Sequence, residues 1–369
     1  MLENSITKNT NRILDYFLKD KSPDLHLSSD KVFIRNKIGD LEKVDLEISS
    51  DIIYDFAKVI LSNEKYEALK KGMEIDYGYS YKGERFRMNF YQDQSGINVA
   101  IRRLSTIIPN IKQINLPENL NDFYLKNKGL ILVTGPTGSG KSTTLASIVK
   151  YISEKKKCHI ITLEDPIEYV LESETSLINQ REVGNNTKSW LDGIKYALRQ
   201  DPDVVVVGEM RDLETIEAVL TLVETGHLVI STLHTIDAVQ TITRIINSFG
   251  EAEQSKIAVQ LSMVLELIIS QRLLPAANGK GRYCAREILI NNSASANLIR
   301  QNKIPHLYGI IETQRRLGMQ TMDQSLAMLV ATGSIDKYQA LSIVANKEVF
   351  EQMVGFYLEK QHNDSKVKN

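Results

Sequence analysis

Apolar residues recur along this chain in three different spacings, and each spacing predicts a different arrangement of elements. Over residues 1–104, a helical stretch gives way to short alternating segments, which predicts an N-terminal α+β domain of about 100 residues. Over residues 118–290, apolar runs alternate with helical segments, as a parallel sheet with crossover helices requires. Residues 291–358 show mainly helical spacing. The pattern therefore predicts an α/β protein with an α+β domain before the parallel sheet and a helical portion after it.

In the N-terminal domain, the first 20 residues carry apolar positions at helical spacing, and Pro23 ends the predicted helix. A second helix is predicted to open near Ser50 or Asp51. Strands are predicted at residues 32–35, 41–48, 75–81, 85–91 and 97–104. Residues 105–117 contain two prolines and little periodicity, which predicts a linker.

The central segment contains four consecutive valines, at positions 204–207, which indicate a strand buried on both faces. Strands are predicted at residues 131–133, 158–163, 204–209 and between His227 and His234, and helices at 143–154, 190–198 and 213–223. Beyond about residue 285 the prediction is mostly helical. The helices expected there span residues 297–301, 306–317, 322–332 and 335–345. The polar tail, residues 359–369, is expected to fray.

The strand predicted at 131–133 runs into glycines and then into Lys141 and Ser142. Residues 135–142 fit Gly-x-x-x-x-Gly-Lys-[Ser/Thr], the phosphate-binding loop. Small residues let consecutive backbone N–H groups turn toward phosphate oxygens, and the following helix presents its positive end. Lys141 is predicted to reach the β- and γ-phosphates, and Ser142 to offer its hydroxyl to Mg²⁺. The predicted nucleotide-binding residues are Gly135, Pro136, Thr137, Gly138, Ser139, Gly140, Lys141, Ser142 and Thr143.

Two carboxylates follow predicted strands, Glu168 after the strand at 158–163 and Glu209 after the four valines. Open α/β sheets bind ligands at the carboxyl ends of their strands, and a nucleoside triphosphatase needs Mg²⁺ and a carboxylate that orients water. The predicted metal ligands are Ser142, Glu168 and Glu209. Because Gly208-Glu209 stands where an aspartate is usual, the division of metal and water roles between the two glutamates stays open. The alternative interpretation of residues 164–168 is a solvated acidic turn.

Two histidines, His227 and His234, bracket one predicted strand seven residues apart, so they do not share a face and a zinc pair is not expected. Each is either a structural residue or, at the edge of a nucleotide core, a sensor of the γ-phosphate or of a neighbouring subunit. The pattern itself leaves both interpretations open.

The composition excludes several classes of protein and several kinds of site. The 369 residues, 42% of them hydrophobic, suggest two or three globular domains. A net charge of −1 argues against a dedicated nucleic-acid-binding protein. Cys158 and Cys284 are the only cysteines, which favours a reducing cytoplasm and excludes a disulfide framework or a cysteine-rich zinc site. No apolar run approaches the roughly 20 residues of a membrane span.

Four ordered segments resemble the Walker A, Asp box, Walker B and His box of secretion ATPases: residues 135–142, 164–168, 208–215 and 225–235. Within that superfamily the chain most resembles the type IV pilus retraction ATPases, the twitching-motility group. Residues 24–27, 179–183 and 318–323 also resemble that group, so the resemblance covers nearly the whole chain. The group's Ala-Ile-Arg-Asn-Leu-Ile-Arg-Glu stretch is matched only in part, because residues 295–301 keep Asn-Leu-Ile-Arg but lose the first arginine and the last glutamate.

The resemblance implies a RecA-like P-loop ATPase core, an N-terminal PAS-like α+β domain and a helical C-terminal portion. It implies a homo-hexameric ring that uses ATP and Mg²⁺ to drive pilus retraction through an inner-membrane platform protein. Such a motor works in the cytoplasm at the inner face of the cell membrane, with membrane association only through partners. Arg87 and Arg102 match arginines that reach the bound nucleotide; without the resemblance they read as solvated strand residues. The implied catalytic set is Lys141, Glu168, Glu209, His227, His234, Arg87 and Arg102.

Two other functions remain as alternatives. A pilus-extension, competence or type II secretion ATPase shares these motifs, but such proteins typically carry a four-cysteine zinc element that two cysteines cannot build. A nucleotide-gated regulatory module with negligible turnover is favoured only by the missing aspartate before Glu209. A nucleic-acid translocase lacks any recognition motif here.

Overall fold

The chain divides into two units in a computed structural model that describes residues 2–35, 40–104, 107–344 and 346–367. The first unit comprises the chain up to Ile108 together with Pro166–Val170, and the second comprises Pro109–Asp165 and the chain from Leu171 onward. Among the described residues, no helix has both the length and the apolar character needed to cross a membrane.

The first unit is an antiparallel sheet with helices over one face. Its strands lie in the order β3-β2-β1-β6-β5-β4. The elements are α1 Leu2–Asp20, β1 Asp24–Ser28, β2 Lys31–Arg35, β3 Leu41–Val44, α2 Ser50–Ile60, α3 Asn63–Lys70, β4 Ile75–Tyr81, β5 Glu84–Asp93 and β6 Gly96–Leu104. Alternating apolar and polar side chains determine which face of the sheet is buried. Phe86, Met88 and Phe90 of β5 are fully buried against apolar residues of α1 and α2, while the residues between them are polar.

Helix boundaries in this unit follow local signals. The first helix ends at Asp20, before Pro23, and the second begins at Ser50, where the Ser49 side chain accepts a hydrogen bond from the N–H of Ile52. The strand predicted at 41–48 is shorter, Leu41–Val44. Strand β1 and helix α3 were not among the predicted elements. Residues 105 and 106 of the predicted linker lie outside the described residues, whereas Ile111 and Leu116 at its other end are buried in the core of the second unit.

The second unit is a seven-stranded sheet in the order β13-β12-β7-β11-β10-β8-β9, parallel except for the antiparallel pair β12 and β13. Helices fill most of the connections between its parallel strands, whereas residues 165–176, which join β8 to β9, contain no helix. The elements are α4 Asn121–Tyr124, β7 Gly129–Thr134, α5 Lys141–Lys155, β8 His159–Glu164, β9 Leu177–Glu182, α6 Trp190–Ala197, β10 Val204–Val207, α7 Leu213–Glu224, β11 Leu228–Leu233, α8 Ala238–Asn247, α9 Glu251–Val264, β12 Leu265–Pro275, β13 Arg282–Ile290, α10 Ser293–Arg300, α11 Leu307–Thr313, α12 Met322–Ala331, α13 Lys337–Leu341 and α14 Lys347–Val367.

The C-terminal portion corrects three expectations. The chain remains in strand β13 until Ile290, so helices do not begin near residue 285. The single helix expected at 306–317 is helix α11 between two short 3₁₀ turns, and the second turn ends at Gly318, whose φ of 98° breaks helical geometry. The helix expected at 335–345 is only Lys337–Leu341, and residue 345 lies outside the described residues. Helix α14 extends to Val367, within the polar tail.

Strand β13 buries two adjacent charged residues. Arg286 is 4% exposed and Glu287 is 3% exposed, and successive strand side chains point to opposite faces. The Arg286 guanidinium donates to the carbonyls of Ile114 at 2.6 Å and Asn115 at 3.0 Å, which anchors the predicted linker to the core. Burial raises the pKa of Glu287 from 4.5 to about 7.

We expect Glu287→Gln to change how stability depends on pH. Between pH 4.5 and about 7 the folded chain holds a proton that the unfolded chain releases, so the stabilisation from this group is complete below pH 4.5 and is lost as pH rises through about 7. The loss is on the order of 3 kcal/mol. Urea unfolding followed by fluorescence of Trp190, the single tryptophan, measures it in the second unit. From pH 5 to pH 8 the unfolding free energy of the wild type should fall relative to that of the variant. If the two change in parallel, burial of Glu287 is not the cause.

Candidate functional site

The predicted phosphate loop lies between β7 and α5 in the second unit. Gly135 has φ of 146°, and a Cβ there would stand 2.3 Å from the Gln271 carbonyl oxygen, so only glycine fits. Gly140, with φ of 88°, directly precedes α5. The Lys141 ammonium donates to the carbonyls of Gly135 at 2.8 Å and Pro136 at 3.1 Å. The loop therefore combines a cation with the positive end of a 15-residue helix, which suits a bound phosphate.

A residue that the sequence analysis missed supports this loop from strand β12. Gln271 is 1% exposed, and its amide nitrogen donates to the Ser139 carbonyl at 2.9 Å. Within the described residues, the buried Ser139 Oγ and Gln271 Oε1 have no hydrogen-bond partner. Buried polar atoms are usually paired, so these two fit a cradle completed by a polar ligand. The only sequence signal for Gln271 is a polar residue inside an apolar strand.

Glu209 lies two residues beyond the last valine of β10. Strands β7, β11 and β10 are adjacent and parallel, so the chain after β10 lies about 10 Å from the phosphate loop along the same sheet edge. Gly208 lies in a tight place, because a Cβ would stand 3.1 Å from the Leu163 carbonyl and 3.0 Å from the Trp190 ring, so a side chain there would require these neighbours to shift by a few tenths of an ångström.

The two histidines lie at opposite ends of β11. His234 follows the strand on the phosphate-loop side, where its Nε2 is 3.1 Å from one oxygen of Glu209, while Arg211 Nε is 2.9 Å from the other. His227 precedes the strand, beside Gly129 at the start of β7, and its Nδ1 lies 3.0 Å from the Leu222 carbonyl at the end of α7. The structure therefore brings His234 to Glu209 and does not bring His227 there.

The acidic segment 164–168 is split between the units. Glu164 ends β8 in the second unit, where its Oε1 accepts from Thr162 at 2.6 Å and from Gln180 at 2.9 Å. Glu168 belongs to the first unit, where its charge contributes to raising the pKa of Arg102, after the larger effect of the hydrogen bond from Arg102 to Asp24. Glu168 and Glu209 are thus not parts of one unit.

The two predicted arginines face each other across strands β5 and β6. Arg102 Nε donates to Asp24 at 2.7 Å, and the nearest Arg87 nitrogen is 3.4 Å from Asp76. Like charges directly opposite in a sheet repel, and the two aspartates offset that repulsion. Asp24 is mostly buried, with 10% of its side chain exposed, and it also lies 3.9 Å from Arg35. The arginines are therefore held in place by carboxylates of the first unit.

The residues present fit Mg²⁺ only together with nucleotide phosphates. Among the described residues, no three His, Cys, Asp or Glu side chains form a group that could hold a metal ion. Mg²⁺ commonly uses one or two protein groups, waters and substrate phosphates. Ser142 at the start of α5 and Glu209 both belong to the phosphate-loop unit and suit this role, whereas Glu168 lies with the other unit.

Comparison with known proteins agrees with this geometry. The family described as “Type II/IV secretion system protein” matches residues 72–339. The “Twitching motility protein” of Neisseria gonorrhoeae is 41% identical over 84% of this chain and 83% of its own length. The “Type IV pilus retractation ATPase PilT” of Pseudomonas aeruginosa is 39% identical over 89% of this chain and 96% of its own length.

A solved structure is similar over almost the full length. The “Crystal Structure of the Pilus Retraction Motor PilT and Bound ADP” has a TM-score of 0.85 and 40% identity, covering 92% of this chain and 98% of that one. This similarity confirms the predicted fold class and the predicted resemblance to the retraction group. The chain belongs to the type II/IV secretion system protein family.

Proposed function

We propose that this chain is a motor ATPase that drives type IV pilus retraction. One observation carries the proposal: the phosphate loop, Glu209 and His234 lie along one sheet edge in a chain 41% identical to a protein named for twitching motility. The glycine loop and Lys141 bind the phosphates, and Glu209 positions the attacking water. Phosphoryl transfer needs charge stabilisation and positioning more than covalent help, and these groups supply both.

The remaining assignments of this proposal follow the family resemblance. Ser142 and Glu209 would hold Mg²⁺ together with the nucleotide phosphates, and the metal would supply further neutralisation of phosphate charge. Arg87, Arg102 and Glu168 of the first unit act on the nucleotide, His234 links the site to motion of the assembly, and His227 supports the same strand from its other end. The working unit is a homo-hexamer at the cytoplasmic face of the membrane, where it acts on a pilus platform protein.

Deleting the gene in its host tests the proposal. A retraction motor should leave cells with long or abundant pili and no twitching motility, whereas absent pili would show an extension motor. Complementation with Lys141→Ala should fail, because the ammonium that neutralises phosphate charge is lost. Normal motility in the deletion strain, or full rescue by Lys141→Ala, would contradict the proposal.

We expect Glu209→Gln to lower ATP turnover by about two orders of magnitude while ATP affinity survives, because a water-positioning carboxylate acts in the transition state. Steady-state turnover and ATP titration on the assembled protein measure the two effects separately. Glu217→Gln, which makes the same change at an exposed position of α7, is the matched control. If Glu209→Gln and Glu168→Gln both turn over ATP at nearly the wild-type rate, the catalytic assignment is wrong.

We expect Arg102→Ala to fold and assemble but to slow ATP turnover by about tenfold or more, since it removes a charge-assisted donor to phosphate. Arg87→Ala should act in the same direction. Asp24→Asn should give a smaller loss, because it leaves Arg102 charged but weakens its 2.7 Å anchor. Arg12→Ala, at an exposed arginine of α1, should have no effect. Full turnover in both arginine variants would remove the arginines from the mechanism.

A further inference from the structure

Glu287 of β13 is a buried carboxylate that the proposed mechanism does not use. It is 3% exposed, and within the described part of the chain no lysine or arginine forms an ion pair with it. A buried carboxylate is costly unless hydrogen bonds satisfy it. Its hydrogen-bond donors therefore indicate what the residue does.

Two helix N-termini share this one carboxylate. The N–H of Ala238, the first residue of α8, donates to Glu287 Oε1 at 2.8 Å. The backbone of Met322, the first residue of α12, faces the same carboxyl group and acts to lower its pKa. The first N–H groups of a helix have no acceptor inside the helix, and negative charge is favourable there. Glu287 thus joins two helices that are far apart in the sequence.

Helix α8 is joined to His234 by a short, hydrogen-bonded segment. Ala238 is four residues after His234, whose Nε2 lies 3.1 Å from Glu209. Asp237 caps the helix by accepting from Gln240 at 2.6 Å, and the hydroxyls of Thr235 and Thr241 are 2.6 Å apart. A displacement of the start of α8 therefore moves the backbone that carries His234.

Helix α12 is fixed to the same strand through the segment that precedes it. Gln320 pairs with Ile288 of β13 by two backbone hydrogen bonds, of 2.8 and 3.2 Å. The Arg286 N–H donates to the hydroxyl of Ser325 in α12 at 2.9 Å. Residues 318–323, which the sequence analysis singled out, therefore place the start of the C-terminal helices directly at Glu287.

We propose that Glu287 is a positioning residue that ties the His234 segment to the C-terminal helices, so that the alignment of His234 with Glu209 depends on where those helices lie. The proposal deepens the function proposed above and rests on it for its kinetic consequence. Burial raises the pKa of Glu287, while the backbone groups of Ala238 and Met322 act to lower it, as expected of groups that face the carboxyl oxygens.

The link through Glu287 between the His234 segment and the C-terminal helices, here called the tether, is tested by Glu287→Gln. This substitution hardly changes the size of the side chain. A glutamine keeps one acceptor oxygen in place of two and adds an NH₂ group that cannot accept, so the hydrogen bonding at the helix starts weakens. We expect the kcat for ATP to fall about tenfold while KM changes less than about twofold, because the phosphate loop is untouched. Glu312→Gln, an exposed glutamate of α11, is the matched control and should keep wild-type kinetics.

A double-mutant cycle separates positioning from general destabilisation. If Glu287 acts through His234, adding Glu287→Gln to His234→Ala should change kcat by less than about twofold. Equal factors in both backgrounds, an unchanged kcat in Glu287→Gln, or a rise in KM that matches the fall in kcat would overturn the proposal.

Hydrogen exchange in the nucleotide-free protein tests the tether without ATP turnover. In Glu287→Gln, amides of residues 235–240 and 320–325 should exchange faster, by about tenfold in at least one segment, while those of α5 stay unchanged. Faster exchange in a protein that hydrolyses no ATP would refute the proposed function and keep the tether. Unchanged exchange in both segments would refute the tether whatever the turnover.

Discussion

Parallel pairing of β7, β11, β10 and β8 is the constraint on which the second unit depends. The register pairs Thr134 with Leu233 and Val207 with Ser231, so these strands end along one edge. Two hydroxyls reinforce the edge, because Ser231 donates to the Val207 carbonyl at 2.7 Å and Thr232 donates to the Gly208 carbonyl at 2.5 Å. The phosphate loop, Glu209 and His234 all emerge there. The predicted phosphate site thus stands on a core that is mainly apolar, with a few buried hydroxyls at its edge.

Buried polar groups on the last two strands of that sheet fix the segments around the site. Gln271 of β12 holds the phosphate loop, and Glu287 of β13 holds the starts of α8 and α12. Leaving such a group unpaired costs about 1–3 kcal/mol, so each one specifies the position of its partner. Arg286 does the same for the linker end at Ile114. The strands that extend the sheet beyond β7 therefore organise the segments that surround the catalytic edge.

In the first unit, ion pairs at the surface hold the charged side chains in position. Its arginines stand on the polar face of an antiparallel sheet, and Asp24 and Asp76 hold them through ion pairs rather than by burial. Exposed pairs of this kind contribute little stability, so their consequence is geometric. Arg102 is the better held of the two, because its partner Asp24 is mostly buried and Arg102 Nε donates to it at 2.7 Å.

The sequence alone determined the elements with strong local signals. The glycines of the phosphate loop, the four valines of β10, the serine cap of α2 and the alternation in β5 each act over a few residues, so pattern and structure agree. The position after a buried strand predicted Glu209 as a site residue, and the family resemblance added His234 to the predicted set. Their 3.1 Å contact, however, appears only in the structure.

Only the tertiary structure decided the rest, because the deciding contacts join distant parts of the chain. Strand β12 follows α9 directly, from Val264 to Leu265, so no turn residue marked the boundary. Strand β13 was hidden because a buried Arg286 and Glu287 interrupt its apolar run, and they are tolerated there only through partners 171 and 49 residues away in sequence. The grouping of Glu168 with the first unit and the placement of His227 at the far end of β11 likewise depend on packing that no local spacing records.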